Sequence, residues 1–278
     1  MPIDLNNKEH LISYLKSNGL YTKHSLGQNF LVDQEVLEKI VESADLAEDD
    51  IVIEVGPGLG VLTEKLLEKA KKVVAIELDD KLAPLLKERL QTDKLELIHE
   101  DILKVNLTEI TADFSAYKVV ANIPYYITSK ILQLLLTMEK KPSTIILLVQ
   151  KEVAERICAR PGEMSILSIS IQAYGKPEII EIVSKNSFFP APAVDSAILK
   201  ITTFDKPVIG DCSEKDFFRI VKIGFAGRRK TLINNLSSGL HIDKKNAGAI
   251  ISSIGLSDNV RAQELNIEEW ARLALLIS

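Results

Sequence analysis

Ile51-Val52-Ile53-Glu54-Val55-Gly56-Pro57-Gly58-Leu59-Gly60 is the stretch on which the fold of this chain turns. Residues 51–55 form a short, β-branched run that stops at glycines, the pattern of a strand buried on both faces of a parallel sheet. The glycines let the backbone turn sharply and approach a ligand without Cβ clashes. Their spacing is G-x-G-x-G. The dinucleotide fingerprint G-x-G-x-x-G would need a glycine at Val61, and a phosphate loop would end in Gly-Lys-Ser/Thr, so neither is matched.

Downstream of this loop, helical and extended patterns alternate. Residues 62–70 have helical spacing, 73–76 read as a second strand, 82–90 as a helix and 95–98 as a third strand. Residues 117–121 make a fourth strand, 129–136 a helix, 143–149 a fifth strand and 151–158 a helix. Residues 166–174, 178–183 and 197–202 read as later strands, partly antiparallel. Upstream, residues 1–50 are helical with loops, and Asp33 caps a helix over 34–43. Such alternation predicts an α/β fold with a doubly wound, mostly parallel sheet. It stops near Phe204-Asp205-Lys206-Pro207, after which 214–224, 228–236, 244–254 and 267–276 read as helices. The chain is therefore expected to divide into residues 1–205 and a small helical domain, 206–278.

Composition agrees with this. With 278 residues and 46% hydrophobic residues the chain can bury a sizeable core. Its two cysteines, Cys158 and Cys212, are far apart, which excludes a disulfide framework and fits a reducing compartment. The start, MPIDLNNKEH, has no apolar run of a signal peptide, and no stretch is long enough to span a bilayer, so a cytoplasmic protein with no membrane partner is expected. The net charge of −5 disfavours nucleic acid unless cations cluster locally. They do: Lys215, Arg219, Lys222, Arg228, Arg229 and Lys230 place six cations within sixteen residues, against Glu214 and Asp216.

Three strand ends carry candidate ligand-binding groups. Gly56 and Gly58 lie in the loop. Glu77 closes the second strand, where an acid can accept hydrogen bonds from both hydroxyls of a ribose. Asp101 follows the third strand and can accept from an adenine amino group, a role its neighbour Glu100 could also fill. Together these describe a site for an adenosine-containing cofactor at the carboxyl edge of a parallel sheet.

After the fourth strand comes Asn122-Ile123-Pro124-Tyr125. An adenine amine is a poor nucleophile because its lone pair is delocalised into the ring. The side-chain oxygen of Asn122 and the backbone carbonyl of Ile123 can accept both of its N–H bonds. That frees the lone pair for in-line attack on a sulfonium methyl. Pro124 fixes the direction of the carbonyl and Tyr125 can stack on the base. A base must leave its own stack to enter such a pocket. Phe188, in the proline-rich loop Ser187-Phe188-Phe189-Pro190-Ala191-Pro192-Ala193-Val194-Asp195, is the candidate for its second face; core packing is the rival explanation, above all for Phe189.

These motifs occur in one order with Gly27-Gln28-Asn29-Phe30-Leu31, Val149-Gln150-Lys151-Glu152-Val153-Ala154-Glu155-Arg156 and Phe225-Ala226-Gly227-Arg228-Arg229-Lys230-Thr231. Over about residues 20–240 the chain resembles the small-subunit ribosomal RNA adenine dimethyltransferase family. The resemblance implies a Rossmann-like class I methyltransferase fold. It implies S-adenosyl-L-methionine as methyl donor with no metal, and dimethylation of two adjacent adenosines in the 3′-terminal hairpin of 16S rRNA on the assembling 30S particle. It further implies that loss of the enzyme confers kasugamycin resistance. The family's cofactor positions map onto Asn29, Leu31, Gly56, Glu77, Asp101 and Asn122. Within the basic cluster, Lys222, Arg228, Arg229 and Lys230 are the candidate RNA-binding residues, the R-R-K-T run resembling the small-subunit enzymes more than the resistance methylases, and a monomer is expected. The middle residue of the tetrapeptide departs from the bacterial small-subunit pattern: Ile123 stands where leucine is usual, as in the large-subunit resistance methylases. Because a backbone carbonyl acts there, the change bears on subfamily more than on chemistry. The alternatives are a 23S rRNA adenine methylase of the macrolide-resistance type and a non-catalytic ribosome-assembly factor.

Overall fold

The computed structural model describes residues 4–21 and 27–277. In chain order the elements are α1 (Lys8–Ser17), β1 (Phe30–Leu31), α2 (Gln34–Ser43), β2 (Ile51–Val55), α3 (Val61–Lys69) and β3 (Lys72–Glu77). There follow α4 (Leu82–Arg89), β4 (Leu95–His99), α5 (Leu107–Ile110), β5 (Lys118–Asn122), α6 (Thr128–Thr137), β6 (Thr144–Gln150) and α7 (Lys151–Ile157). Next are α8 (Ile166–Gln172), β7 (Gly175–Val183), β8 (Phe188–Phe189) and β9 (Ser196–Thr203), then α9 (Glu214–Gly224), α10 (Leu232–Leu240), α11 (Lys244–Ser253) and α12 (Ile267–Ile277).

Seven strands form one sheet in the order β4-β3-β2-β5-β6-β9-β7. From β4 to β6 the pairs are parallel, and β9 runs antiparallel to β6, Thr144 facing Thr202 and Gln150 facing Ser196. The central strands are buried along nearly their whole length: Val52, Ile53, Val119, Val120, Ile145 and Ile146 expose no surface. This is why they read as continuous apolar runs rather than alternating ones. The order reverses beside β2, which has β3 on one side and β5 on the other. Sheets of this kind bind ligands at the carboxyl ends of the strands flanking such a reversal.

The chain folds as two compact units. The first takes the chain up to Ala154 and Glu178–Thr203; the second takes Glu155–Pro177 and Phe204 onward. A single boundary at about 205 does not capture this, because residues 155–177 belong with the helices that follow Phe204. The strand expected over 166–174 is helix α8. Ser165 Oγ accepts the Ser168 amide at 3.2 Å while Ser168 Oγ accepts the Ser165 amide at 2.7 Å. This reciprocal cap outweighs the strand preference of three isoleucines. The expected helix over 228–236 begins later, at Leu232, because Arg228–Lys230 form a turn closed by a 2.9 Å bond from the Lys230 amide to the Gly227 carbonyl.

Candidate active site

The loop after β2 is stitched to the strand beside it. The Gly56 amide donates to the Ile76 carbonyl at 2.9 Å, and the Gly58 amide donates to Glu77 Oε2 at 2.9 Å. Gly56, Gly58 and Gly60 all take positive φ, at 69°, 59° and 80°. That left-handed backbone favours glycine and turns the chain directly from β2 into α3. Glu77 Oε1 also accepts the Asp79 amide at 2.8 Å. Each carboxylate oxygen carries a second lone pair, so these bonds position the group while leaving acceptor capacity. Glu77 is buried, and burial holds its carboxyl above the usual range against the two amides that favour its charge.

One pocket collects these groups at the carboxyl ends of β2 to β5. It is lined by Asn29, Leu31, Gly56, Gly58, Glu77, Asp101 and Asn122, together with Ile123, Pro124 and Tyr125. All of these lie in the first unit. Glu100 lines it as well; its Oε1 accepts the Asp101 amide at 2.8 Å, while Asp101 Oδ1 accepts the Leu103 amide at 2.9 Å. Asn122 is oriented from a distant part of the chain: its Nδ2 donates to the Asn29 carbonyl at 3.3 Å. With the nitrogen engaged, the acceptor end of the amide is Oδ1. Tyr125 is half-buried, with its hydroxyl 2.6 Å from Ser196 Oγ on β9.

Phe188 does not belong to this site. β8 pairs antiparallel with β1, Leu31 opposite Phe188 and Phe30 opposite Phe189. Side chains alternate along a strand, so the two phenylalanines take opposite faces. Phe188 is 3% exposed and packs in the core with Val36, Leu37, Ile40 and Ile198. Phe189, the one expected in the core, is only partly buried and packs with Leu5, Leu11 and Leu15, the ammonium of Lys8 lying 5.5 Å from its ring centre.

Several pocket residues escape a reading of motifs. Leu78, Ile102 and Leu103 follow the two acids and line the pocket with apolar surface suited to the faces of a flat ring. Their signal is only their place one or two positions after Glu77 and Asp101. Glu54 stands inside the glycine-loop motif itself. It is 1% exposed, its Oε2 has no hydrogen-bond partner among the described residues, and it lines the pocket. Burial, with the nearby charge of Glu77, pushes its carboxyl up to about 8.

The cationic residues lie in the second unit. Arg228, Arg229 and Lys230 are exposed on the turn between α9 and α10. Asn235 is 4% exposed and holds that turn from beneath, its Nδ2 donating to the carbonyls of Gly224 at 2.6 Å and Gly227 at 3.1 Å. Lys222, in the last turn of α9, is exposed too. Among the described residues, no helix is long and apolar enough to cross a membrane.

The family model described as ribosomal RNA adenine dimethylase matches residues 19–278. A ribosomal RNA small subunit methyltransferase A from Dehalococcoides mccartyi (strain 195 of that species) is 45% identical over 258 residues, covering 92% of this chain and 89% of the relative. The protein of the same name from Clostridium botulinum (strain Okra) is 44% identical over 253 residues, 90% of this chain and 92% of that one. Among solved structures, a dimethyladenosine transferase from Plasmodium falciparum superposes with a TM-score of 0.76 at 26% identity, covering 88% of this chain and 95% of its own. The 23S rRNA methyltransferase ErmE superposes with a TM-score of 0.71 at 27% identity, covering 89% and 98%.

Proposed function

From the premise that the chain belongs to the ribosomal RNA adenine dimethylase family, we propose that it dimethylates the 6-amino groups of two adjacent adenosines in the 3′-terminal hairpin of 16S rRNA. It does so as a cytoplasmic monomer acting on the 30S particle during small-subunit biogenesis. The observation that carries this reading is the Asn122 amide, anchored through its nitrogen and beside the glycine loop and Glu77.

The residues fit S-adenosyl-L-methionine. The glycine loop approaches the pocket without Cβ atoms: a Cβ on Gly58 would meet Phe30 Cε1 at 3.5 Å, and one on Gly56 would meet the Asn122 carbonyl oxygen at 3.8 Å. Glu77 would hold the ribose, Asp101 or Glu100 the adenine amine, and Leu78 and Ile102 the faces of the adenine ring. Asn29, Leu31 and Gly56 complete the enclosure. When bound, the cofactor supplies an electrophilic methyl group. Asn122 Oδ1 and the Ile123 carbonyl accept the two hydrogens of the target amine and hold it away from ring conjugation. Tyr125, steadied by Ser196, stacks on the base, and burial keeps its phenol neutral. No strong general base is required, because the nitrogen loses its proton after it has been alkylated.

Incubating methylation-deficient small subunits with the protein and cofactor, then mapping methylated nucleotides by mass, tests this. Two neighbouring dimethyladenosines in the 3′-terminal hairpin are expected; modification confined to 23S rRNA would overturn the assignment. The large-subunit reading is favoured by the ErmE superposition and by Ile123. It is disfavoured by the higher identity to small-subunit enzymes. Expression should therefore leave erythromycin sensitivity unchanged.

A further inference from the structure

We propose that Tyr126 and Lys130 form a clamp at the mouth of the pocket for the nucleotide next to the methylated adenosine. This rests on the reading above, in which an RNA adenine enters beside Asn122. Tyr125 and Tyr126 are consecutive but differently placed. Tyr125 is half-buried and tied to Ser196, whereas Tyr126 is 62% exposed while still lining the pocket. The Tyr126 phenol has no hydrogen-bond partner among the described residues, so no internal polar contact accounts for where it sits. Gly27 lies close beside its ring and beside Pro124: a Cβ on Gly27 would lie 3.8 Å from Tyr126 Cδ1 and 3.3 Å from Pro124 Cβ. Any side chain at Gly27 would crowd this close approach.

Lys130 stands four positions on, in the first turn of α6. It is exposed, lines the same pocket, and has no ion-pair partner among the described residues.

Extruding a base leaves its neighbour in the strand unstacked on one side. An aromatic ring beside the point of entry restores that stack whatever the base, because every base has a π-face. The phosphodiester joining the two nucleotides must stay at the mouth, within reach of an ammonium there. The chemistry recognised is therefore an unpaired nucleotide one linkage from the target, with Tyr126 against its base and Lys130 on its phosphate.

The test uses the full-length protein and initial rates of methyl transfer to methylation-deficient small subunits. Tyr126→Ala is expected to raise KM for the particle about tenfold, the scale of removing one base stack, with kcat changed less than about twofold. Tyr126→Phe should restore KM, and Tyr126→Leu should not. Lys130→Ala should make the salt dependence of binding shallower by about one unit of slope, the share of a single neutralised phosphate. Calorimetry with the cofactor alone should not separate these variants from the parent. An unchanged KM in Tyr126→Ala, equal rescue by leucine and phenylalanine, or a loss confined to cofactor affinity would each overturn the clamp. If the parent protein itself transferred no methyl group, the functional reading would fail with it. An active parent with an equally active Tyr126→Ala variant would remove the clamp alone.

Discussion

Asn122 and Asn29 lie 93 positions apart and meet in the pocket, the amide nitrogen of one donating to the carbonyl oxygen of the other at 3.3 Å. The contact joins the segment before α2 to the end of β5. It sets which end of the Asn122 amide can act as acceptor.

Asn122→Ala should therefore reduce turnover about 100-fold or more, the scale for losing a positioned acceptor at a reacting centre. Cofactor affinity should stay within several-fold, because Glu77 and the glycine loop are untouched. Single-turnover rates beside a calorimetric titration make the comparison, and an unchanged rate would dismiss the role.

Glu54 makes stability depend on pH in a defined window. Below its ordinary value of 4.5 the group is protonated in both folded and unfolded chains. Between 4.5 and about 8 only the folded chain keeps the proton, so each pH unit lowers the folding stability by about 1.4 kcal/mol from this group. Above about 8 both states are ionised and the effect levels off. Relative to Glu54→Gln, the parent should lose on the order of a few kcal/mol of stability as pH rises through this window. Urea unfolding of both proteins at several pH values measures it, and parallel profiles would contradict it.

Gly60 couples the loop to the packing of α4. It has φ of 80°, and a Cβ there would collide with Leu86 Cδ1 and lie 3.0 Å from Arg89 Nη2. Arg89 meanwhile pairs with Glu64 of α3 at 3.0 Å. Gly60→Ala should destabilise the protein by about 2–4 kcal/mol, summing left-handed backbone strain and overpacking. A shift of the unfolding midpoint to lower denaturant is the readout, and an unshifted midpoint would mean the loop relaxes freely.

Reversing charge at Arg228 and Arg229 should weaken binding to small subunits and make its salt dependence shallower, by about one unit of slope for each phosphate no longer neutralised. Asn235 holds the turn from below and is untouched, so the fold should persist. If affinity and slope both stayed the same, the turn would be a solvated surface only.

From 51 to 158 the strands, and the helices other than the four-residue α5, are legible in the sequence because each reports itself locally, through apolar runs and helical spacing. Asp33 is legible as a cap for the same reason, its carboxylate accepting the Val36 amide. The motif residues of the pocket can be named because a glycine turn and the acids and amide at strand ends are features of short segments. Phe188 cannot be placed in this way, since its direction depends on pairing with Leu31, a strand far away in sequence. The stretch 166–174 reads as a strand because its isoleucines favour one, whereas the hydrogen bonds that decide for helix are those of two serines. Burial of Glu54, the anchoring of Asn122 by Asn29 and the joining of residues 155–177 to the later helices are likewise invisible locally. Residue order thus carries whatever is settled by near neighbours along the chain. Orientation, burial and the proton affinity of a carboxyl wait for segments distant in sequence to pack together, because they are properties of the surroundings and not of the residue.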